Sequence, residues 1–579
     1  MDNRQIARVL RETADLMEVA GEDPFRVRGY RKAADTIAGA AAMTDLADPA
    51  KLRALPGIGA KLAEAIQQIA TTGTLALRDE LLRQYQPGML ELLNVQGLGP
   101  KTIATIWERH GVATVNGVEE LAQAGKLRTL PRMSEKKESQ ILQAIATYRA
   151  VSGRFLRSTA ERAAMVARLG LTGKSGVGAV EIGGAFRRGE ETVAELELLA
   201  GTEAGREEET AGAWAALPEV AEVKERGPGY AVVEWADGGG SGRTMPTRLR
   251  AVPLEAFAAR WIQITGPARH WEALQARAAA AELELSESGL RRQGKVITGG
   301  SEEEIYRALG LQWIPPELRE TEGVLGAAER DSLPPLVAVE HIRCDLHMHT
   351  VETDGRATIE EMAAAALARG YAAIAITDHS QALAMARGLN EERAMAHVRR
   401  IRAADQAMRG KPRIFAGIEV DILADGRLDL ADAVLAEMDI VIASVHSRFE
   451  QTAEEMTARL LRAVGNGQVR ILGHPTGRRL LRRPSYAFDF ERVATACAAA
   501  GVAMEINAAP ERLDLNADLA KKAAATGVRI AINTDAHHPD HLDFIRHGVA
   551  TARRAGIGPD RVINTLEPAA LLAALRAKP

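Results

Sequence analysis

The stretch DLHMHT (345–350) sets His347 and His349 two residues apart. On an extended strand that spacing puts both rings on one side. Asp354 follows in ETDGR (352–356). Downstream, short apolar stretches alternate with alanine-rich helical ones: AAIAIT (372–377), RIFAGIEV (413–420), DIVIASV (439–445), VRILGH (469–474), GVAMEIN (501–507) and VRIAINT (528–534). This cadence of strand then helix predicts a parallel βα architecture, open or closed into a barrel.

Nearly every one of these strands ends in a residue type that ligates metals. His379 stands in TDHS, Glu419 in GIEVD, His446 in SVHS, His474 in GHPTG, and Asp535 with His537 in NTDAH. In a βα barrel all such ends open on one face, so six histidines and three acids converge. The histidine distribution agrees: 11 of the 13 lie at or after position 341. Imidazole and carboxylate without thiolate suit Mn, Zn or Fe. Nine ligands exceed what one ion uses, which predicts two or three divalent ions. Clustered ions of this kind serve phosphoester hydrolysis, with His347, His349, His379, Glu419 and His446 as the catalytic set.

The remaining bulk properties exclude several classes. With 579 residues, a net charge of −4 and 26% charged residues, the chain reads as several globular domains with local rather than global basicity. Two cysteines, Cys344 and Cys497, point to a reducing compartment. No apolar run long enough to span a membrane occurs, and the charged amphipathic start MDNRQIARVLRETADLMEVAG is not a signal peptide. A cytoplasmic, monomeric protein is expected.

Upstream, LPGIGAKLAEAI (55–66) and VQGLGPKTIATIW (95–107) share one pattern of glycines, lysine and apolar residues. Gly57 and Gly59, and likewise Gly97 and Gly99, permit a tight hairpin between helices that turns a helix N-terminus toward a phosphate. Lys61 and Lys101 add charge. LRTLPRMSEKKESQI (127–141) reads as a degenerate third copy. Near the barrel, GRRLLRRPS brings Arg478, Arg479, Arg482 and Arg483, and APERLDL brings Arg512, as candidate phosphate contacts or as a solvated loop.

The histidine-bearing motifs together resemble the PHP (polymerase and histidinol phosphatase) domain over 341–579. That resemblance implies a distorted (β/α)7 barrel with a trinuclear metal centre. The glycine hairpins resemble helix–hairpin–helix (HhH) motifs, which grip duplex backbone without reading sequence. With DPFRVRGYRKAADTIAG ahead of them, residues 1–85 resemble the 8-kDa domain of family-X DNA polymerases. That implies a 5′-phosphate contact through Arg26, Tyr30 and Lys61. The position where some relatives carry a Schiff-base lysine is Ala65, which excludes that lyase chemistry. The resemblance continues through α-helical fingers (86–150), an α+β palm (151–250), a thumb (251–320) and a linker (321–340).

The palm departs from the family pattern. GGAFRRG has Ala185 where the family has serine, with Arg187 and Arg188 kept for phosphates. The two metal-binding aspartates are Glu195 and Glu197 in ETVAELELLA (191–200), and the third is Arg248. A longer carboxylate misplaces its charge by about 1 Å, an error that can cost on the order of 100-fold in rate. Arginine places a fixed cation where metals belong. The expectation is that Arg248 pairs with Glu195 or Glu197 and that Mg2+ does not bind there. The leading expectation is a DNA-repair enzyme whose PHP domain is a Mn-dependent 3′–5′ exonuclease on gapped or nicked DNA. AP-endonuclease or 3′-phosphatase activity is a further expectation. The alternatives are an active gap-filling polymerase with PHP proofreading, a DNA-end-binding scaffold and a small-molecule phosphatase.

Overall fold

The computed structural model describes residues 3–39, 49–86, 88–236, 244–298 and 300–576. The chain divides into two compact units, one of residues 1–154, 216–224 and 233–246, the other of 155–215, 225–232 and 247–579.

In the first unit, α1 (Asn3–Val19) packs on α2 (Pro24–Gly39), and the hairpin at 55–59 leads into α3 (Ala60–Thr72). A second hairpin leads into α4 (Pro100–His110) and a third into α5 (Glu135–Val151). The three hairpins are built alike. Each closes with one backbone bond, from Ile58 N to Leu55 O, Leu98 N to Val95 O and Met133 N to Leu130 O, at 3.2, 3.1 and 3.1 Å. Each needs one left-handed residue: Gly57 at φ 81°, Gly97 at φ 89° and Arg132 at φ 61°. The stretch 127–141 is therefore a third hairpin in which arginine takes the glycine position, with Ser134 capping α5. That left-handed backbone costs a non-glycine residue roughly 1 kcal/mol or more.

In the second unit, β1 (Val177–Ile182) pairs antiparallel with β2 (Leu196–Thr202). With β3 (Val220–Gly227), β4 (Tyr230–Ala236) and β5 (Thr244–Pro253), stretches of which are counted with the first unit, the five-stranded sheet has the order β1-β2-β5-β4-β3. β2 and β5 run parallel, with Glu197 beside Arg248. Thr192–Val193 forms a separate two-residue strand, and Glu195 lies in the gap between it and β2. Helices α6 (Phe257–Thr265) and α7 (Ala268–Ala280) follow. A three-stranded antiparallel sheet spans 284–298.

From Cys344 onward seven strands lie in one parallel sheet in chain order: β6 (Cys344–Asp345), β7 (Ala373–Ile376), β8 (Arg413–Asp421), β9 (Ile440–Ser444), β10 (Ile471–Leu472), β11 (Ala503–Asn507) and β12 (Ile530–Asn533). Past the ends of β6 and β12, Met348 bridges Ala536, and His349 N donates to Ala536 O at 2.8 Å. The ring thus closes at its C-terminal rim. Alternation sorts each strand into an inward and an outward set. Inward, Ala373, Ala375, Phe415, Ile440, Ala503 and Ala531 pack with Leu571 and Leu575 of α9 (Pro568–Arg576), while α8 (Ile545–Arg554) packs against the outside of β11 and β12. Outward, Ile374, Ile376, Ile414 and Met504 meet helix residues such as Met362, Val398 and Leu460. The inward register carries apolar residues low in the barrel and polar ones at the top: Phe415 gives way to Glu419, Ala503 to Glu505, Ala531 to Asn533.

Candidate metal centre

Glu419, 1% exposed, is the hub of the barrel's upper rim. Its Oε2 lies 2.8 Å from His379 Nδ1, 3.4 Å from His347 Nε2 and 3.6 Å from His349 Nε2. Its Oε1 lies 2.9 Å from His474 Nε2 and 3.4 Å from His446 Nε2. Asp535 Oδ1 stands 3.1 Å from His349 Nε2 and 3.7 Å from His347 Nε2. Asp354 reaches His537 and His379 at 3.5 and 3.6 Å. All nine residues singled out at the strand ends therefore meet in one place.

Among the described residues, eight of the nine fall into three groups, each with ligand atoms within 4.8 Å of one another: His349, Asp354, His379 and His537; His347, His349 and Asp535; His379, Glu419 and His446. His474 stands outside these groups and joins through Glu419. Several of these atoms are buried without a hydrogen-bond partner, among them His347 Nε2, His349 Nδ1, His379 Nδ1, His446 Nδ1 and Glu419 Oε2. Orphaned donors and acceptors in a protein interior are costly unless something else satisfies them. An array of orphaned imidazole and carboxylate atoms converging at ligand spacing fits divalent ions. The backbone supports the arrangement at a strain: His474 and Asp535 both have positive φ, 25° and 53°.

The electrostatics sort the rings. Burial, with His379 and His537 alongside, lowers His349 to about 4. Burial, with Arg512 alongside, lowers His474 to about 4. Against burial, Glu505 and Glu419 raise His347, and Glu419 raises His379 and His446. Burial works against the Glu419 carboxylate, yet His446, His347 and His379 hold it well below the ordinary range.

A shell of residues that sequence reasoning did not single out fixes these ligands. Glu505 on β11 receives His347 Nδ1 at 2.8 Å, the backbone N–H of His474 at 2.7 Å and Asn533 Nδ2 at 2.9 Å. Asp378 receives Thr350 N–H at 2.9 Å, Thr353 Oγ1 at 2.5 Å and His397 Nε2 at 2.8 Å, which pins the loop leading to Asp354. Second shells of this kind set ring orientation. Glu505 lies in the middle of β11, in the inward register two residues before its end, and an acid at that buried position was the available signal.

The cationic candidates divide. Arg479 and Arg512 line a cavity of about 490 Å3 over the cluster, although Arg479 is 3.2 Å from Glu511 and Arg512 is 3.5 Å from Asp535. Arg478 does not face this cavity. It is bound at 3.0 and 2.5 Å by Glu191 of the mixed-sheet region and also donates to Leu513 O. Arg483 lies over the Phe449 ring at 3.9 Å, and Arg482 is exposed. Arg26 pairs with Glu22 at 2.6 Å, and Tyr30 is half-buried between helices. Lys61 and Lys101 are exposed beside their hairpins, as are Gly57, Gly59, Gly97 and Gly99.

Around β2 the expectation for Arg187 and Arg188 is corrected. Arg187 is locked to Glu302 at 2.6 and 2.8 Å and lies 3.4 Å over Trp261. Arg188 holds Glu320 at 3.0 Å, the Thr265 carbonyl at 2.6 Å and Glu190. These guanidiniums brace the fold because burial makes a carboxylate partner obligatory. Arg248 Nη2 stands 4.0 Å from Glu195 Oε2. Burial and Glu195 push the Glu197 carboxyl up against the pull of Arg248, Arg250 and Arg188. Ala185 lies in the short helix Gly184–Arg187, whose Gly184 is close to Glu197.

Comparison with known proteins matches several stretches of the chain. The family profile described as a PHP domain matches residues 345–509, and that described as DNA polymerase beta thumb matches 260–320. A helix-hairpin-helix domain matches 1–75 and a SAM-like helix-hairpin-helix tandem 89–147. The chain is 34% identical over 569 residues to the Bacillus subtilis (strain 168) protein named DNA polymerase/3'-5' exonuclease PolX, covering 97% of each. It is 31% identical over 235 residues to a probable phosphatase of Syntrophotalea carbinolica, which covers 38% of this chain and 92% of that protein.

Proposed function

Since this chain belongs to the family-X DNA polymerases that carry a C-terminal PHP domain, we propose that its barrel is a metal-dependent phosphodiesterase removing nucleotides 3′ to 5′ from gapped or nicked DNA. The observation that carries this is the gathering of nine nitrogen- and oxygen-bearing residues in one place, with five histidines around Glu419 and Asp354, Asp535 and His537 beside them. Two or three ions, of Mn, Zn or Fe, are held by His347, His349, Asp354, His379, Glu419, His446, His474, Asp535 and His537. Such ions supply Lewis-acid stabilisation to a phosphodiester that gains charge. The chain's own part is orientation. Glu505 fixes the His347 ring, Asp378 fixes the loop of Asp354, and Arg479 and Arg512 offer charge to the substrate phosphates. The first two hairpins, with Lys61 and Lys101, and the third, with Arg132, grip duplex backbone irrespective of sequence.

The mixed sheet retains the place of a polymerase site without its metals. Its supports are the Arg248–Glu195 approach at 4.0 Å, the positive charges of Arg248 and Arg250 beside Glu197, and the engagement of Arg187 and Arg188 by carboxylates. Template-directed synthesis is therefore absent or slow.

One experiment tests both halves. Purified protein with Mn2+ is incubated with end-labelled gapped DNA, with and without dNTPs. Shortening in both conditions supports this reading. Net extension with dNTPs restores the polymerase, and an unchanged substrate favours an end-binding scaffold.

A further inference from the structure

The cavity over the metal cluster has an apolar, aromatic side that metal binding does not explain. It is lined by Phe544, His541 and Leu383 as well as by Arg479 and Arg512. Phe544 and His541 are stacked, with ring centroids 4.7 Å apart and planes at 21°. Their neighbours in sequence, Leu542 and Ile545, are 0% and 6% exposed and belong to the barrel core, whereas Phe544 is turned to the cavity. Phe544 is half-buried at the wall of this cavity rather than enclosed in the core.

We propose that the Phe544–His541 pair, with Leu383, is a nucleobase subsite that receives the base of the nucleotide being removed. Every base offers a π face to an aromatic ring, so stacking gives affinity without sequence preference. The cavity then holds two chemistries together: guanidiniums for the phosphodiester and a ring stack for the base attached to it. A phosphomonoester that lacks a base uses only the first. The subsite rests on the phosphodiesterase reading and sharpens it, because it makes the substrate a nucleoside-bearing diester.

The test uses the full-length, metal-loaded protein on two DNA duplexes that differ only at the labelled 3′ end. One ends in an ordinary nucleotide, the other in a tetrahydrofuran abasic nucleotide. The wild type is expected to favour the base-bearing end in kcat/KM by roughly tenfold or more. Phe544→Ala is expected to bring the two ends to near parity with metal content unchanged. Phe544→Leu keeps apolar volume but removes the ring, and it decides the matter should the alanine variant lose metal or fold poorly. Its near-parity supports the subsite, and its retention of the wild-type preference overturns it. A wild type with no preference between the ends also overturns it while leaving the phosphodiesterase standing. A wild type that shortens neither end overturns both.

Discussion

Glu191 and Arg478 form a two-pronged ion pair at 3.0 and 2.5 Å that joins the approach to β2 to the barrel loop carrying His474. Arg478 lies four residues after His474, and the pair's side chains are only 11% and 23% exposed. The same loop is tied by Thr476 N–H to Asp514 at 3.0 Å and by Leu480 N–H to the Glu511 carbonyl at 2.7 Å. Removing one member of a buried pair leaves an uncompensated charge, at a cost of about 3 kcal/mol. Glu191→Ala is therefore expected to speed hydrogen exchange in residues 474–483 and to lower phosphodiesterase activity. The double change Glu191→Leu with Arg478→Met leaves no orphaned charge and is expected to restore protection. Equal protection in wild type and Glu191→Ala would show that the pair is a surface ornament.

Glu505 gives the second prediction. It holds His347 by Nδ1, and through the His474 amide it holds a second ligand. Glu505→Gln keeps shape but cannot accept on its nitrogen, so one of these bonds must be lost. Loss of such second-shell support typically costs 10- to 100-fold in metal affinity or activity, roughly the range expected here. A titration of the metal-stripped variant with Mn2+, read by activity and by bound metal, checks it.

Removal of the metals themselves should act on the same centre. Dialysis against a chelator is expected to abolish DNA shortening and to lower the thermal stability of the barrel, because it leaves buried imidazole and carboxylate atoms such as Glu419 Oε2 without partners. His347→Ala is expected to lose bound metal and shortening while the hairpins, which carry Lys61 and Lys101, still bind DNA. Elemental analysis giving fewer than two ions per wild-type chain would contradict the multinuclear assignment.

The β2–β5 region offers a gain-of-function test. Restoring the acidic set as Glu195→Asp, Glu197→Asp and Arg248→Asp removes the guanidinium 4.0 Å from Glu195 and supplies three carboxylates. Mg2+-dependent nucleotide addition is expected to rise above the wild-type level, assayed on a background in which His347→Ala silences shortening. An unchanged rate would show that Glu195, Glu197 and Arg248 do not limit synthesis.

How much of this was legible depends on the range of the interactions. The barrel, and the clustering of the nine residues at its rim, were readable because each strand writes its inward register and its end residue locally, as in GIEVD and NTDAH. The hairpins were readable for the same reason, and even the degenerate copy at 127–141 betrayed itself by spacing. Partner choice was not readable. Arg478 looks like a DNA contact until Glu191, 287 positions away, is seen to hold it. Arg187 looks like a phosphate ligand until Glu302 closes on it, 115 positions away. The gap at Glu195 and the small sheet at 284–298 were not readable either, because short strands with mixed polarity carry little periodicity.

Beside that small sheet lies a titratable group with a consequence of its own. His270 on α7 is 3% exposed and its Nε2 is 2.7 Å from the Tyr306 hydroxyl. Burial, with the Arg319 guanidinium nearby, lowers it to about 3. The unfolded histidine takes up its proton near pH 6.5. Between those two values the unfolded state binds one proton more than the folded state, so stability is present above pH 6.5 and is lost as pH falls toward 3. The loss attributable to this one group is about 1.4 kcal/mol per pH unit. Glu302, held down to about 2 against burial by Arg319 and Arg187, protonates only in a lower window, so between pH 5 and 6.5 the difference between wild type and a His270 variant reports the histidine rather than Glu302. Hydrogen exchange across residues 257–314 is expected to report a pH slope steeper in the wild type than in His270→Gln by that amount. Equal slopes would mean that His270 is already protonated in the folded protein and that Tyr306 accepts rather than donates the bond between them.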